Sequence, residues 1–223
     1  MGTGARMAMH TEDQILTLTQ WLSPAYPVGA FAYSHGLEWL VEAGDVSDET
    51  QLEDWLTDVL RHGAGQSDAL FLVAAFQAGS DDALAKIDAT CRAFAPSKER
   101  LMETDLQGAA FCDVTAAVWS QQLGGLTYPV AVGRAASLAD LPLSLTTHLY
   151  LHAFVSNLVT AGMRLIPLGQ TKGQRLIHRL APLLSEVANT AVAGTLDDLS
   201  GTAFLTDIAA MKHETQYSRM FRT

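Results

Sequence analysis

His148 and His152 are the clearest pair of residues that could do chemistry in this chain. Four apart on a helix, both rings project to one side, which suits a bidentate metal contact. The residues between them are Leu-Tyr-Leu, so the glutamate of the zinc-protease motif is missing. Two ligands do not close a metal site, which takes three or four. A helical metal-binding protein, with the pair completed in space by His35 or His213, is therefore the alternative reading. A plain polar helix face is the simpler one. Other reaction centres are missing as motifs. There is no Gly-x-Ser-x-Gly and no phosphate-binding Gly-x-x-x-x-Gly-Lys. Gly169-Gln-Thr-Lys-Gly173 has the residue types of a phosphate cradle, but the wrong spacing and no strand before it. Cys91 and Cys112 are far apart and nothing nearby activates either thiol. They read as buried thiols in a reducing compartment, by default the cytoplasm. The chain reads as a non-enzyme with no cofactor, unless paired carboxylates in a closed pocket supply a reaction centre that no motif marks.

The histidine pair belongs to a longer pattern. Ser144, His148, His152, Ser156, Thr160 and Arg164 follow one another at four-residue steps. Each step overshoots a helical turn, so this polar line winds slowly round its helix, opposite Leu151, Phe154, Leu158 and Leu165. It is either a solvated face or a hydrated passage or subunit interface. The C-terminal stretch His213 to Thr223 is basic and aromatic, with Tyr217, Arg219, Met220, Phe221 and Arg222, while the whole chain carries a formal charge of −10. Arg and Tyr dominate binding hot spots, so the tail reads as a docking segment. The competing reading is a last turn folded back on its own core.

The elements that position these groups are helices. Apolar residues recur at three- and four-residue spacings almost throughout, and alternating runs are scarce. Helices are predicted from Ile15 to Leu22, Phe31 to Ala43, Ser47 (as N-cap) to His62, Asp68 to Ala78 and Asp81 (capped by Ser80) to Phe94. Further helices are predicted from Ser97 to Leu123, Pro129 to Ala139, Pro142 to Ile166, Gly173 to Ala193 and Asp197 to Lys212. The expected fold is an all-α, single-domain bundle of about ten helices. Residues 1–13 are expected to be a flexible lead-in, 14–212 the helical domain and 213–223 the tail. With 48% hydrophobic and 17% charged residues the chain is not disordered throughout. Its acidity argues against nucleic acid as a partner, and no apolar run reaches the length of a membrane span.

Three segments together carry a family resemblance. They are Ser23-Pro-Ala-Tyr-Pro-Val-Gly-Ala-Phe-Ala-Tyr-Ser-His-Gly-Leu-Glu38 with Glu42-Ala-Gly44, then Arg164-Leu-Ile-Pro-Leu-Gly-Gln170, then His213-Glu-Thr-Gln-Tyr-Ser-Arg-Met-Phe-Arg222. In this order and in a chain of this length they resemble the UreF family of urease accessory proteins. Residues 45–140 carry no recognisable motif. The resemblance implies an all-α, homodimeric scaffold without catalysis of its own. It implies that such a scaffold joins a UreD/UreH-type accessory protein, recruits a UreG-type GTPase, and gates GTP-dependent nickel delivery to apo-urease. The partner-binding residues it implies are Tyr26, Pro27, His35, Glu38, Arg164, Gly169, Gln170, His213, Glu214, Tyr217, Arg219, Phe221 and Arg222. The tail would meet the UreD/UreH-type protein, and Arg164 with Gly169 and Gln170 would lie near the dimer and GTPase-facing surface. The family's nickel ligands lie mainly on the GTPase, so the resemblance does not make His148 or His152 ligands.

Overall fold

A computed structural model describes residues 3–223, with side chains described from Thr11 onward. The described residues form ten α-helices and no strand, the all-α bundle that the apolar spacing predicts. In chain order these are α1 (Thr3–Trp21), α2 (Leu37–Ala43), α3 (Glu49–His62), α4 (Ala64–Gln77), α5 (Asp81–Phe94), α6 (Lys98–Trp119), α7 (Tyr128–Leu138), α8 (Leu143–Leu165), α9 (Gln170–Ala193) and α10 (Phe204–His213). The expected lead-in falls partly on Met1 and Gly2, outside the described residues, and α1 begins at Thr3.

The centre of the bundle is α4, which packs against α3, α5, α7, α8 and α9. Its residues Ala69, Leu70, Phe71, Leu72, Val73 and Ala75 are buried on every side, as a helix without a polar face must be. Gly133 of α7 lets that helix press onto α4, since a Cβ there would stand 2.2 Å from the Leu72 carbonyl oxygen. Aromatic edges tie the outer layers together. Trp21 meets Phe111 and Trp119, Phe111 meets Tyr26 and Tyr128, and Tyr128 meets Tyr150, at centroid separations of 5.4 to 5.9 Å.

Several boundaries differ from the pattern reading. The helix expected over Phe31–Ala43 is split into a 3-10 turn, Ala30–Ala32, and α2. Between them His35 and Gly36 both take left-handed backbone, with φ of 56° and 80°. Gly36 has no substitute there, because a Cβ would stand 2.6 Å from the Ala210 backbone nitrogen of α10. Asp48, not Ser47, accepts from the Gln51 N–H at 2.9 Å, while the Gln51 side chain reaches back to the Ser47 N–H at 2.8 Å. Asp48 is therefore the N-cap of α3, and Ser47 lies one residue outside it. Ser120 ends α6 four residues early by taking a left-handed φ of 55°. The last predicted helix is also two pieces. A 3-10 turn, Leu196–Asp198, is closed by a Thr195 capping box, and α10 starts only after the Thr202 and Ala203 N–H groups bond the His62 carbonyl of α3.

Candidate functional site

The C-terminal segment lies along a seat built from α2, α6 and the Ala30–Gly36 turn. Three carboxylates on two helices do most of the holding. Glu38 of α2 accepts the backbone N–H groups of Met220 at 2.6 Å and Phe221 at 2.9 Å. Glu99 of α6 takes Arg219 at 2.7 Å and the Nδ1 of His213 at 2.7 Å. Glu103, one turn further along α6, accepts the Thr223 hydroxyl at 2.8 Å. The Thr223 carbonyl oxygen accepts both the backbone N–H and the hydroxyl of Ser34, and the Arg222 N–H donates to the Ala32 carbonyl at 2.8 Å. Charge-assisted bonds of this kind are shorter and stronger than neutral ones. Phe221 is buried in the main core under the Arg164 guanidinium, 4.4 Å above its ring.

Glu103 is also the hub of a deeper cluster. It pairs with Arg100, accepts from the Gln107 amide at 2.9 Å and lies 2.8 Å from His35 Nε2. That same His35 nitrogen is 2.9 Å from Arg100 Nη1, so it serves an acceptor or a donor, one at a time. Burial, reinforced by the Arg100 charge, lowers the pKa of His35. Burial alone would raise Glu103, but Arg100 and His35 outweigh it and hold its carboxyl at about 2. Asp68 of α4 is the counter-case. Burial pushes it up to about 6, against the pull of Arg100 and the Tyr150 hydroxyl, which donates to it at 2.9 Å. Two cavities, of about 330 and 470 Å³, both border His35, Asp68, Arg100 and Thr104. The smaller reaches His62, Asp207 and Met211, and the larger reaches Phe31, His152, Ser156 and Thr160.

The thirteen residues expected to bind partners divide by exposure. Pro27, Arg164, Gly169, Gln170, Tyr217, Arg219 and Arg222 are exposed and Glu214 is half-buried. Tyr26, His35, Glu38, His213 and Phe221 are buried within the chain. Tyr26 bonds Thr115 in the core at 2.7 Å, and the other four hold or form the tail seat. Arg164 and the tail are brought together, as are His35 and Glu103, whereas Gly169 and Gln170 stand apart at the start of α9. The His148 Nδ1–H donates to the Ser144 carbonyl oxygen, 2.7 Å away. Among the described residues no group of three His, Cys, Asp or Glu side chains could hold a metal, so no third ligand joins His148 and His152. The polar line on α8 lies at the surface or half-buried, with three of its members at the larger cavity. Both cysteines are free and buried, and burial pushes the Cys91 thiol up to about 12. Asp68, Glu99, Arg100 and Glu103 escaped the sequence reading. The i, i+1, i+4 spacing of the last three on one helix was the only signal they offered.

Fold and site define an all-helical protein whose buried polar residues tie its own segments together. Its exposed ones present surfaces. The UreF family model matches residues 46–181, more than half of the chain. The chain belongs to the UreF family of urease accessory proteins. The urease accessory protein UreF of Ruegeria pomeroyi is 63% identical over 97% of this chain and 100% of its own length. That of Roseobacter denitrificans is 53% identical over 98% of both, and that of Rhodopseudomonas palustris 47% identical over 99% of this chain and 98% of its own. The matched span covers the middle region that carries no recognisable motif. The near full-length relatives also cover most of the two flanking segments.

Proposed function

We propose that this chain is a non-catalytic, cytoplasmic scaffold for urease maturation. It joins a UreD/UreH-type accessory protein and a UreG-type GTPase, and gates GTP-dependent nickel insertion into apo-urease. The relatives named as urease accessory proteins support the process, and the surface supports the scaffold. One observation carries the reading. The row Phe204, Leu205, Ile208 and Met211 on α10 is turned outward, 66%, 51%, 49% and 51% exposed. These positions follow helical periodicity, and their burial on a partner would stabilise a complex as core burial stabilises a fold. The row leads directly into the tail, where Tyr217 is fully exposed and Met220 is 55% exposed. Together they form the docking face for the UreD/UreH-type protein, and residues 213–223 serve as its docking tail. The outer face of α8, with Phe31, His152, Thr160 and Arg164, and the exposed Gly169–Gln170 corner serve the homodimer and the GTPase. Among the described residues no helix is long and apolar enough to cross a membrane.

Co-expression with the neighbouring urease accessory proteins, followed by affinity capture, tests the docking face. Leu205→Asp with Ile208→Asp changes only exposed positions, so the melting temperature stays within a few degrees of the parent's. Capture of the UreD/UreH-type protein falls by at least about tenfold. Undiminished capture by a folded double variant would remove α10 from the interface.

A further inference from the structure

The smaller of the two cavities, about 330 Å³, is enclosed by α4, the end of α5, the start of α6 and α10. Asp68 and Arg100 lie where it borders the larger cavity, and the exposed His62 and Met211 also line it. Phe71, Phe94 and Pro96 give it apolar walls. Its polar groups are not matched within the chain. The Arg100 charge is taken by Glu103, its ion-pair partner. Asp68 receives the Tyr150 hydroxyl and no cation, and the Asp207 carboxylate has no hydrogen bond or ion pair among the described residues. Burial raises both carboxyls against the pull of Arg100, and Asp58 adds its negative charge beside Asp207. Thr206 lines the same cavity and is 8% exposed, and its hydroxyl has no hydrogen-bond partner among the described residues. Buried polar groups are normally satisfied, so an orphaned hydroxyl in a cavity with two unpaired carboxylates marks a place shaped for a further group.

We propose that this cavity binds a small organic cation, an ammonium or guanidinium group on a short apolar stem, held by Asp68, Asp207 and the Thr206 hydroxyl. The cation donates to the two carboxylates and to the hydroxyl oxygen, and its stem lies against Phe71 and Phe94. Charge favours this guest. With Arg100 and Glu103 cancelling each other, two carboxylates are left, which a neutral guest leaves unmatched and an anion would oppose. A metal ion is poorly served, because among the described residues no three His, Cys, Asp or Glu side chains could hold one. Size agrees, since about 330 Å³ lies at the lower end of small-molecule sites. A buried carboxylate without a counter-charge costs stability in the free chain, and in a cleft such a group is the mark of a binding site. The same chemistry is offered by a free metabolite and by a Lys or Arg side chain of a partner. Thr206, Asp207 and Met211 lie on α10, and Met211 belongs to the outward row of the docking face, so a partner seated there reaches the cavity. The choice of source rests on the function proposed above, whereas the site itself stands on the isolated chain.

Titration of the full-length, 15N-labelled chain with ethylguanidinium, ethylammonium and neutral propionamide, followed by NMR at constant ionic strength, tests the site. At about pH 8 both cations shift the Asp68, Thr206 and Asp207 amides to saturation, and bind at least about tenfold more tightly than propionamide. Asp68→Asn combined with Asp207→Asn weakens the cations by at least about tenfold and leaves propionamide unchanged. Equal binding of the neutral probe, shifts spread over the acidic surface without saturation, or undiminished cation binding by the folded double variant would each overturn the proposal. Should the double variant fail to fold, the comparison of charged and neutral probes on the unaltered chain decides alone. Capture of the UreD/UreH-type protein separates the sources. Capture that falls by at least about tenfold when the chain is saturated with ethylguanidinium assigns the cation to a side chain of that partner. Capture that is unchanged assigns it to a free small molecule and leaves the site standing.

Discussion

At the scale of single residues, the buried ionisable groups pull the chain in opposite directions with pH. Asp68 is pushed up to about 6 from an ordinary 3.8, so the folded chain holds its proton more tightly than the unfolded one does. Its contribution is most favourable below 3.8 and is lost as pH rises through about 6. Glu103, held at about 2 against an ordinary 4.5, stabilises fully above 4.5 and less as pH falls toward 2. Asp68→Asn is therefore expected to stabilise the chain by about 1–3 kcal/mol at about pH 8 and to leave it unchanged at about pH 3.5, read from urea unfolding at both. Equal effects at the two pH values would mean that the carboxyl of Asp68 titrates normally. Glu103→Gln has the opposite sign. It leaves the buried Arg100 guanidinium without its counter-charge and costs about 3–5 kcal/mol near neutral pH in the same measurement. None of this is visible in residue types. Asp68 is one acid among many in the chain, and its character comes from α4 lying at the centre of the bundle beside Tyr150 of α8.

Among the elements, α6 and the short α2 decide where the tail goes. Glu99, Arg100 and Glu103 fall on the first turns of α6, and Glu38 on the first turn of α2. The left-handed pair His35–Gly36 aims α2 at this spot, and the bare Gly36 admits the α10 backbone. Gly36→Ala brings both a strained φ and a backbone collision. It is expected to cost more than about 2 kcal/mol in thermal unfolding. Gly44→Ala has a similar φ of 84° but open space around the Cβ, and is expected to cost about 1 kcal/mol. Equal losses would show that dihedral strain, not the α10 contact, sets the requirement at Gly36. The element pattern was largely legible, because burying one side of a helix imprints a 3.6-residue period on the sequence. Two of its failures share one cause. The breaks after Ala32 and before Phe204 are made by contacts to distant segments, the tail at Ser34 and His62 at Thr202 and Ala203, and no local propensity encodes them.

For the molecule as a whole, the tail is at once packed and displayed. Phe221 and Thr223 are buried, while Tyr217, Met220 and Arg222 face outward. The folded-back reading of the C-terminus describes Phe221 and Thr223, and the docking proposed above would fall to the outward-facing residues of the same segment. Phe221→Ala is expected to cost about 3 kcal/mol in global stability, by opening a cavity beneath Arg164. Tyr217→Ala is expected to leave the melting temperature unchanged and to weaken capture of the UreD/UreH-type protein. Stability lost at Tyr217 and kept at Phe221 would reverse the assignment. By itself the sequence determined the class of fold and the family. Helical periodicity is local, and the three motif segments can be read without knowing where they meet. Only the tertiary structure decided which polar residues face each other. An aspartate becomes a misfit, and a glutamate the hub of a buried cluster, through the charges and the solvent exclusion that distant helices bring to them.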